Sequence, residues 1–172
     1  MVKTIKKPIL SFVLAIIALL LLTSTSQAVD YGATMALTPS TNTLALGDSV
    51  TMTLSLASVT NVEGVATVHA KIEYDNTVLE LVSSEATNSW SAINYNEETQ
   101  EFGTERSDVM APGGEILKLT FKVISIPENN TTSVSITNFD VADVENQIDV
   151  VNASSTLTIN EAATEEPGDH PS

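Results

Sequence analysis

The sequence predicts an all-β domain, a jelly-roll β-sandwich of two sheets and about nine strands. Three observations support this prediction. Apolar and polar residues alternate in several separate stretches, turn residues recur roughly every ten positions, and no stretch after residue 28 has the spacing of an amphipathic helix. Short alternating strands separated by turns are what two packed antiparallel sheets require.

The first 28 residues have the pattern of a secretory signal. Three lysines lie among the first seven residues, and an apolar run follows from Ile9 to Leu22. Ser26 and Ala28 are the small residues that a signal peptidase recognises. Because a bilayer-spanning helix needs roughly 20 apolar residues, the pattern favours cleavage after Ala28 over a membrane anchor. We therefore expect a secreted, extracellular protein with no membrane contact after cleavage.

The folded domain is expected at residues 29–160. The chain has no cysteine, so this domain must be stable without disulfides. Roughly 130 residues are enough to build one hydrophobic core. Residues 161–172 contain no large apolar side chain and several carboxylates, which predicts a disordered acidic tail.

The chain is strongly acidic. It carries 7 Lys and Arg against 22 Asp and Glu, a net charge of −15 with His neutral. Three of the basic residues and none of the acidic ones precede residue 29, so cleavage would leave 4 − 22 = −18. Such a charge repels nucleic acids and anionic membranes, so we expect neither as a partner. It keeps an exported protein soluble, and it attracts a cationic or calcium-carrying partner.

The first two predicted strands differ in quality. Met35 and Leu37 alternate with polar residues, but Pro39 interrupts the pattern and predicts a short or broken strand at a sheet edge. The next strand alternates without a break. Its predicted inward residues are Val50, Met52, Leu54 and Leu56.

A long strand in residues 64–74 is the central prediction. It ends at Asp75 and Asn76, which favour a turn, and the chain restarts as a strand at residues 78–82. The predicted inward residues are Val68, Ala70, Ile72 and Tyr74. The predicted outward residues are Thr67, His69, Lys71 and Glu73.

The middle of the chain gives weaker patterns. Residues 90–95 and 100–104 predict a hairpin around a turn at 96–99. Residues 106–114 predict a loop, because a proline and two glycines close the segment.

The last third begins with a second strong strand at Ile116. Residues 134–136 and 157–159 predict two further strands, and residues 139–146 predict an acidic loop or short strand. The predicted inward residues of the strand after Ile116 are Leu117, Leu119, Phe121 and Val123.

Two motifs resemble those of the cohesin domain family. The first is Gly64-Val65-Ala66, followed by Tyr74-Asp75 and then Val78-Leu79-Glu80. The second is Gly113-Gly114 before the alternating residues 117–123. The resemblance extends over residues 33–160.

The resemblance implies a nine-stranded jelly roll that binds dockerins, which are small calcium-loaded helical modules attached to polysaccharide-degrading enzymes. It thereby implies a role in assembling extracellular enzyme complexes. In the best-known cohesins an asparagine and an aspartate on the outward face of the third strand contact the dockerin. In this sequence those two positions are Thr67 and His69.

The outward residues Thr67, His69 and Lys71 are therefore the predicted partner-binding strip. They place hydrogen-bonding groups and one charge that is switchable near neutral pH on a flat sheet face. A plain solvated face is the structural alternative.

Direct carbohydrate binding is the alternative function. Sugar-binding sandwiches stack pyranose rings on exposed aromatic side chains, and Trp90 and Tyr95 are the candidates, with Phe102 nearby. Because 90 and 95 are separated by an odd number, the two rings point to opposite faces of a regular strand, and only a bulge would align them. Polysaccharide is thus the alternative partner.

Catalysis and cofactors have little support in the sequence. His69 and His170 are the only histidines, and the nucleophile motif Gly-x-Ser-x-Gly is absent. Acidic residues crowd positions 140–149, but without the spacing of an EF-hand calcium loop. We therefore expect no catalytic residues, no metal and no cofactor. A structural module of a cell-surface or adhesive assembly is a third possible class.

Overall fold

The structure is a computed structural model that describes residues 30–87 and 89–161. The predicted signal segment 1–28 and nearly all of the predicted acidic tail lie outside the described residues. The regular structure of the described part consists of strands without a helix. These are β1 (Gly32–Pro39), β2 (Thr43–Ala45), β3 (Ser49–Thr60), β4 (Val65–Tyr74), β5 (Leu79–Ala86), β6 (Asn94–Asn96), β7 (Glu101–Met110), β8 (Glu115–Val123), β9 (Thr131–Ala142), β10 (Gln147–Val150) and β11 (Ala153–Asn160).

The strands form two layers. One sheet has the order β5-β8-β3-β1, and the other has the order β6-β7-β4-β9, with β11 pairing the first half of β9 and β2 pairing β11. Strand β10 pairs with both β1 and β9, so it joins the two sheets along one side. On the other side β5 and β6 are the free edges of the described sheets. The predicted all-β jelly-roll sandwich is confirmed, with 11 strand segments in place of about nine.

The alternating pattern sets the core, as predicted. All predicted inward residues of β3, β4 and β8 are at most 1% exposed, except the half-buried Tyr74. Tyr74 packs edge-on against Phe121 of the opposite sheet, with ring centroids 5.0 Å apart and planes at 64°. Each fully buried aliphatic or aromatic side chain contributes about 1.5–3 kcal/mol to folding, so these three strands supply a large share of the stability.

The first strand is broken as predicted, but it forms a sheet edge over only part of its length. Strand β1 lies between β3 and β10, and only its first two residues pair with β10. Pro39 ends the strand, and the chain then crosses to the other sheet, where β2 pairs in parallel with β11. Because proline has no backbone N–H, the strand loses no donated hydrogen bond at the residue where the chain leaves the sheet.

The loop predicted at 106–114 is also corrected. Strand β7 continues to Met110, where it pairs with Val65, while Glu105 pairs with Thr67. Four residues of β7 therefore stand opposite Ala66 alone, and this bulge destroys the alternation on which the prediction depended. Before it, the predicted hairpin is present but its first strand is only Asn94–Asn96.

The acidic segment predicted at 139–146 divides into two parts. Strand β9 continues to Ala142, and residues 143–146 form a tight turn into β10. The carboxylate of Asp143 holds this turn by accepting hydrogen bonds from the backbone N–H groups of Glu145 (2.7 Å) and Asn146 (2.6 Å). These hydrogen bonds favour the charged carboxylate and lower the pKa of Asp143.

Candidate functional site

Strand β4 presents the predicted strip to solvent. Thr67 and His69 are exposed and Lys71 is half-buried, whereas the residues between them are buried in the core. The strand is paired on both sides, with β7 and with β9, so its backbone is fixed. We call the outward surface of β9, β4, β7 and β6 the β4 face. This surface is rigid, because the strands are hydrogen-bonded to one another and their inward side chains are packed in the core.

His69 lies at the centre of the β4 face. Its partners in register are Gly103 on β7 and Asp140 on β9. A Cβ atom placed on Gly103 would lie 3.1 Å from Cδ2 of His69, so the imidazole ring covers the glycine closely. Gly103 is also paired with Asn94 of β6. The absent side chain at position 103 leaves room on this face.

A shallow depression of about 380 Å³ occupies that room. Its outward side chains are Thr67, His69, Ser91, Asn94 and Glu105, around Gly103. The Ser91 segment is fixed to β7, because Oγ1 of Thr104 donates to the Ser91 carbonyl (2.9 Å) and the backbone N–H of Glu105 donates to Oγ of Ser91 (3.0 Å). The depression is therefore polar and preformed.

Lys71 carries the positive charge of the strip. Its Nζ lies 3.4 Å from a carboxylate oxygen of Glu73, two residues along the same strand, and both side chains are partly exposed. Its partners in register are Glu101 on β7 and Thr137 on β9. Lys71 thus stands among carboxylates, and an exposed pair of this kind contributes less than about 1 kcal/mol to stability.

The structure places Trp90 and Tyr95 in separate depressions. Trp90 is 6% exposed, its indole N–H donates to Sδ of Met110 (3.3 Å), and the guanidinium of Arg106 lies 5.6 Å from the ring centroid. Phe102 is 1% exposed. Since the rings of Trp90 and Phe102 are covered, little aromatic surface remains there for a sugar ring, while Tyr95 lines a cleft elsewhere with Tyr74.

Several residues of the β4 face were absent from the sequence prediction. Gly103 had a local signal, since a glycine inside an alternating strand indicates a close approach of another group. Asn94, Glu105 and Asp140 had none, because their proximity to His69 depends on the register of three different strands.

The acidic residues do not assemble into a metal centre in the described part of the chain. Within residues 30–87 and 89–161, no group of three or more His, Asp or Glu side chains is arranged to hold an ion. Asp140 accepts a hydrogen bond from Nε2 of Gln147 (2.6 Å), and Asp143 accepts the bonds of its own turn. Among these same residues, no helix is long and apolar enough to cross a membrane.

The fold and this face define a class: an all-strand jelly-roll module with one flat, polar, preformed surface. Comparison with known families then identifies it, because the family model of the Cohesin domain matches residues 35–160. The chain belongs to the cohesin family.

Solved structures agree on the fold. The cohesin module of a family 33 glycoside hydrolase from Clostridium perfringens is similar with a TM-score of 0.68 and 13% identity, over 76% of this chain and 98% of that one. A non-cellulosomal cohesin from the archaeon Archaeoglobus fulgidus has a TM-score of 0.55 at 13% identity, over 77% and 92% of the two chains. A type I cohesin–dockerin complex from Clostridium thermocellum contains a chain with a TM-score of 0.55 and 15% identity, over 80% and 100%. No curated protein matches the sequence.

Proposed function

We propose that this protein is a secreted, non-catalytic module that binds a dockerin-type protein module through the β4 face, with Thr67, His69 and Lys71 in the contact. The observation that carries the proposal is the division of β4 into a fully buried side and an exposed polar side. Membership of the cohesin family supports it, as does the dockerin bound to the similar Clostridium thermocellum cohesin.

The physical properties of the β4 face suit a protein partner. The strand is held on both sides, so little conformational entropy is lost when a partner binds. The groups it offers are a hydroxyl, an imidazole, an ammonium and several carboxylates, placed by the strand register. Such groups determine specificity more than affinity. The depression beside His69 supplies a pocket into which one partner side chain can anchor.

The same face gives little support for catalysis. Among the described residues, the imidazole of His69 forms no hydrogen bond or ion pair with another side chain, although a histidine acting as a base is normally oriented by one. Binding without chemical change is the function that fits this arrangement.

The setting that we propose is an extracellular, polysaccharide-degrading complex. The signal pattern in residues 1–28 supports export, and the acidic composition suits a protein that must remain soluble outside the cell. The similar Clostridium perfringens module is part of a glycoside hydrolase, which supports a link to carbohydrate-active enzymes.

The test is binding of purified dockerin modules of several types, measured by calorimetry against the mature protein and two double variants. T67D/H69D adds two negative charges to the β4 face, and we expect dockerin affinity to fall by at least about 1–3 kcal/mol. The free energy of unfolding should fall by less than this, through repulsion from Glu105 and Asp140 in the neighbouring strands. T34D/T38D adds two charges to exposed positions of β1 in the other sheet and should leave binding intact.

Two outcomes would contradict the proposal. Equal losses of stability and affinity in T67D/H69D would show that Thr67 and His69 act only through the fold. Retention on insoluble cellulose, chitin or xylan that W90A abolishes, with no dockerin bound, would favour direct carbohydrate binding.

A further inference from the structure

A second cleft lies on the side of the sandwich opposite the joining strand β10. It runs between the free edge of β5 and the free edge of β6, and its volume is about 380 Å³. None of its lining residues belongs to the strip of Thr67, His69 and Lys71. A ligand bound there would therefore be separate from one bound on the β4 face.

The walls of the cleft combine three kinds of surface. Leu81 is half-buried and Ile124 is 44% exposed, so part of the wall is aliphatic. Tyr74 and Tyr95 contribute aromatic rings and phenol oxygens, which are hydrogen-bond acceptors. The carboxylates belong to Glu80 and Glu97, which are both exposed.

Among the described residues, the two carboxylates of the cleft form no ion pair. The ion pairs of the described residues are Lys71–Glu73, Arg106–Asp108 and Glu115–Lys118, and neither Glu80 nor Glu97 takes part in one. Lys122 is the partner of Glu80 in register, but it does not come within 4.0 Å of that carboxylate. Lys122 therefore offsets part of the charge of Glu80, whereas the charge of Glu97 has no paired cation among the described residues and lies beside an aliphatic surface.

The electrostatic state of Tyr95 agrees with this description. Burial, followed by the neighbouring phenol of Tyr74 and the carboxylate of Glu97, raises the pKa of Tyr95 to about 12. A cation bound in the cleft would oppose the effect of Glu97. The negative charge of the whole chain acts in the same direction, because it attracts cations and repels anions.

We propose that this cleft binds a lysine or arginine side chain carried by an extended peptide of a partner protein. The aliphatic stem of such a side chain matches Leu81 and Ile124, and its charged end matches Glu97, Glu80 and the phenol oxygens. The unpaired backbone groups of the two edge strands offer hydrogen bonds to the peptide on either side. The inference does not depend on dockerin binding at the β4 face.

The test is an NMR titration of the mature protein with three probes at low ionic strength. A five-residue peptide with a central lysine should shift the signals of Leu81, Tyr95 and Ile124 in a saturable manner, and added salt should weaken the effect. The same peptide with norleucine has the stem without the charge and should bind at least about threefold more weakly. Free n-butylammonium has the stem and charge without the peptide and should also bind more weakly.

Matched variants locate the site. E97Q should reduce the affinity for the lysine peptide about threefold, whereas E98Q removes the same charge from the same turn without lining the cleft and should leave the affinity unchanged. Equal binding of the lysine and norleucine peptides, absence of saturable shifts in the cleft, or equal effects of E97Q and E98Q would overturn the cation site. Equal binding of n-butylammonium would overturn the part played by the peptide. T67D/H69D should change none of these results, so the two proposals fail separately.

Discussion

The imidazole ring of His69 lies against the backbone of Gly103 on the neighbouring strand, where a Cβ atom would meet Cδ2 of His69 at 3.1 Å. No other side chain of the predicted strip has a glycine as its partner in register. The absent side chain at position 103 therefore makes room both for the ring and for the depression beside it. The shape of the β4 face at this point therefore depends on the absence of a side chain at position 103.

The first prediction is that G103A alters binding and not folding. The added methyl group meets the outer end of one exposed side chain, so His69 can turn away at little cost. Alanine also reduces the freedom of the unfolded chain, which stabilises a compatible site by about 0.4–1 kcal/mol. We expect an unchanged or slightly higher free energy of unfolding in urea, together with a lower affinity for the dockerin that binds the parent protein. An unchanged affinity would show that the depression beside His69 is not part of the dockerin-binding site.

The second prediction concerns Gly64, the first residue of the Gly-Val-Ala motif. A Cβ atom there would overlap the carbonyl group of Met110, which is backbone and cannot move aside as a side chain can. We expect G64A to lower the free energy of unfolding by about 1–3 kcal/mol or more, measured by urea denaturation. G103A is the matched control, because it makes the same substitution opposite a movable side chain. Equal stability of the two variants would contradict the steric explanation.

The buried face of the sandwich could be predicted from the sequence, and the composition of the β4 face could not. Alternation reports burial directly, which is why the inward residues of β3, β4 and β8 were assigned correctly. The neighbours of His69 could not be predicted in this way. Gly103 and Asp140 are distant in sequence, and only the register of the strands brings them beside His69. Bulges beside Thr67 and beside Asn138 shift that register. At the second bulge Asn138 has a φ of 52°, in the left-handed region.

The third prediction comes from Thr137, on β9 opposite Lys71. Thr137 is 9% exposed, and its Oγ1 has no hydrogen-bond partner among the described residues. A buried hydroxyl without a partner costs about 1–3 kcal/mol, and valine has nearly the same shape without this cost. We expect T137V to raise the melting temperature and the free energy of unfolding by about 1 kcal/mol. T132V is the control, because Thr132 is equally buried on the same strand but its Oγ1 is not a fully buried atom without a partner. A lower melting temperature for T137V would mean that the hydroxyl is bound in solution.

The last prediction is a pH dependence of stability that comes from Asp143. Hydrogen bonds from the backbone of Glu145, the side chain of Asn146 and the backbone of Asn146 hold the pKa of Asp143 below its ordinary value of 3.8. A carboxylate with a lowered folded-state pKa stabilises the protein above the unfolded pKa, and this stabilisation is lost as the pH falls through the folded pKa. The parent protein should therefore melt at a higher temperature than D143N at neutral pH, and the difference should decrease below about pH 4. E145Q removes the same charge from the same turn without removing the acceptor of these bonds, so it controls for the long-range effect of charge. A difference between parent and D143N that stays constant from neutral to acidic pH would show that the carboxylate stabilises the turn through hydrogen-bond geometry alone.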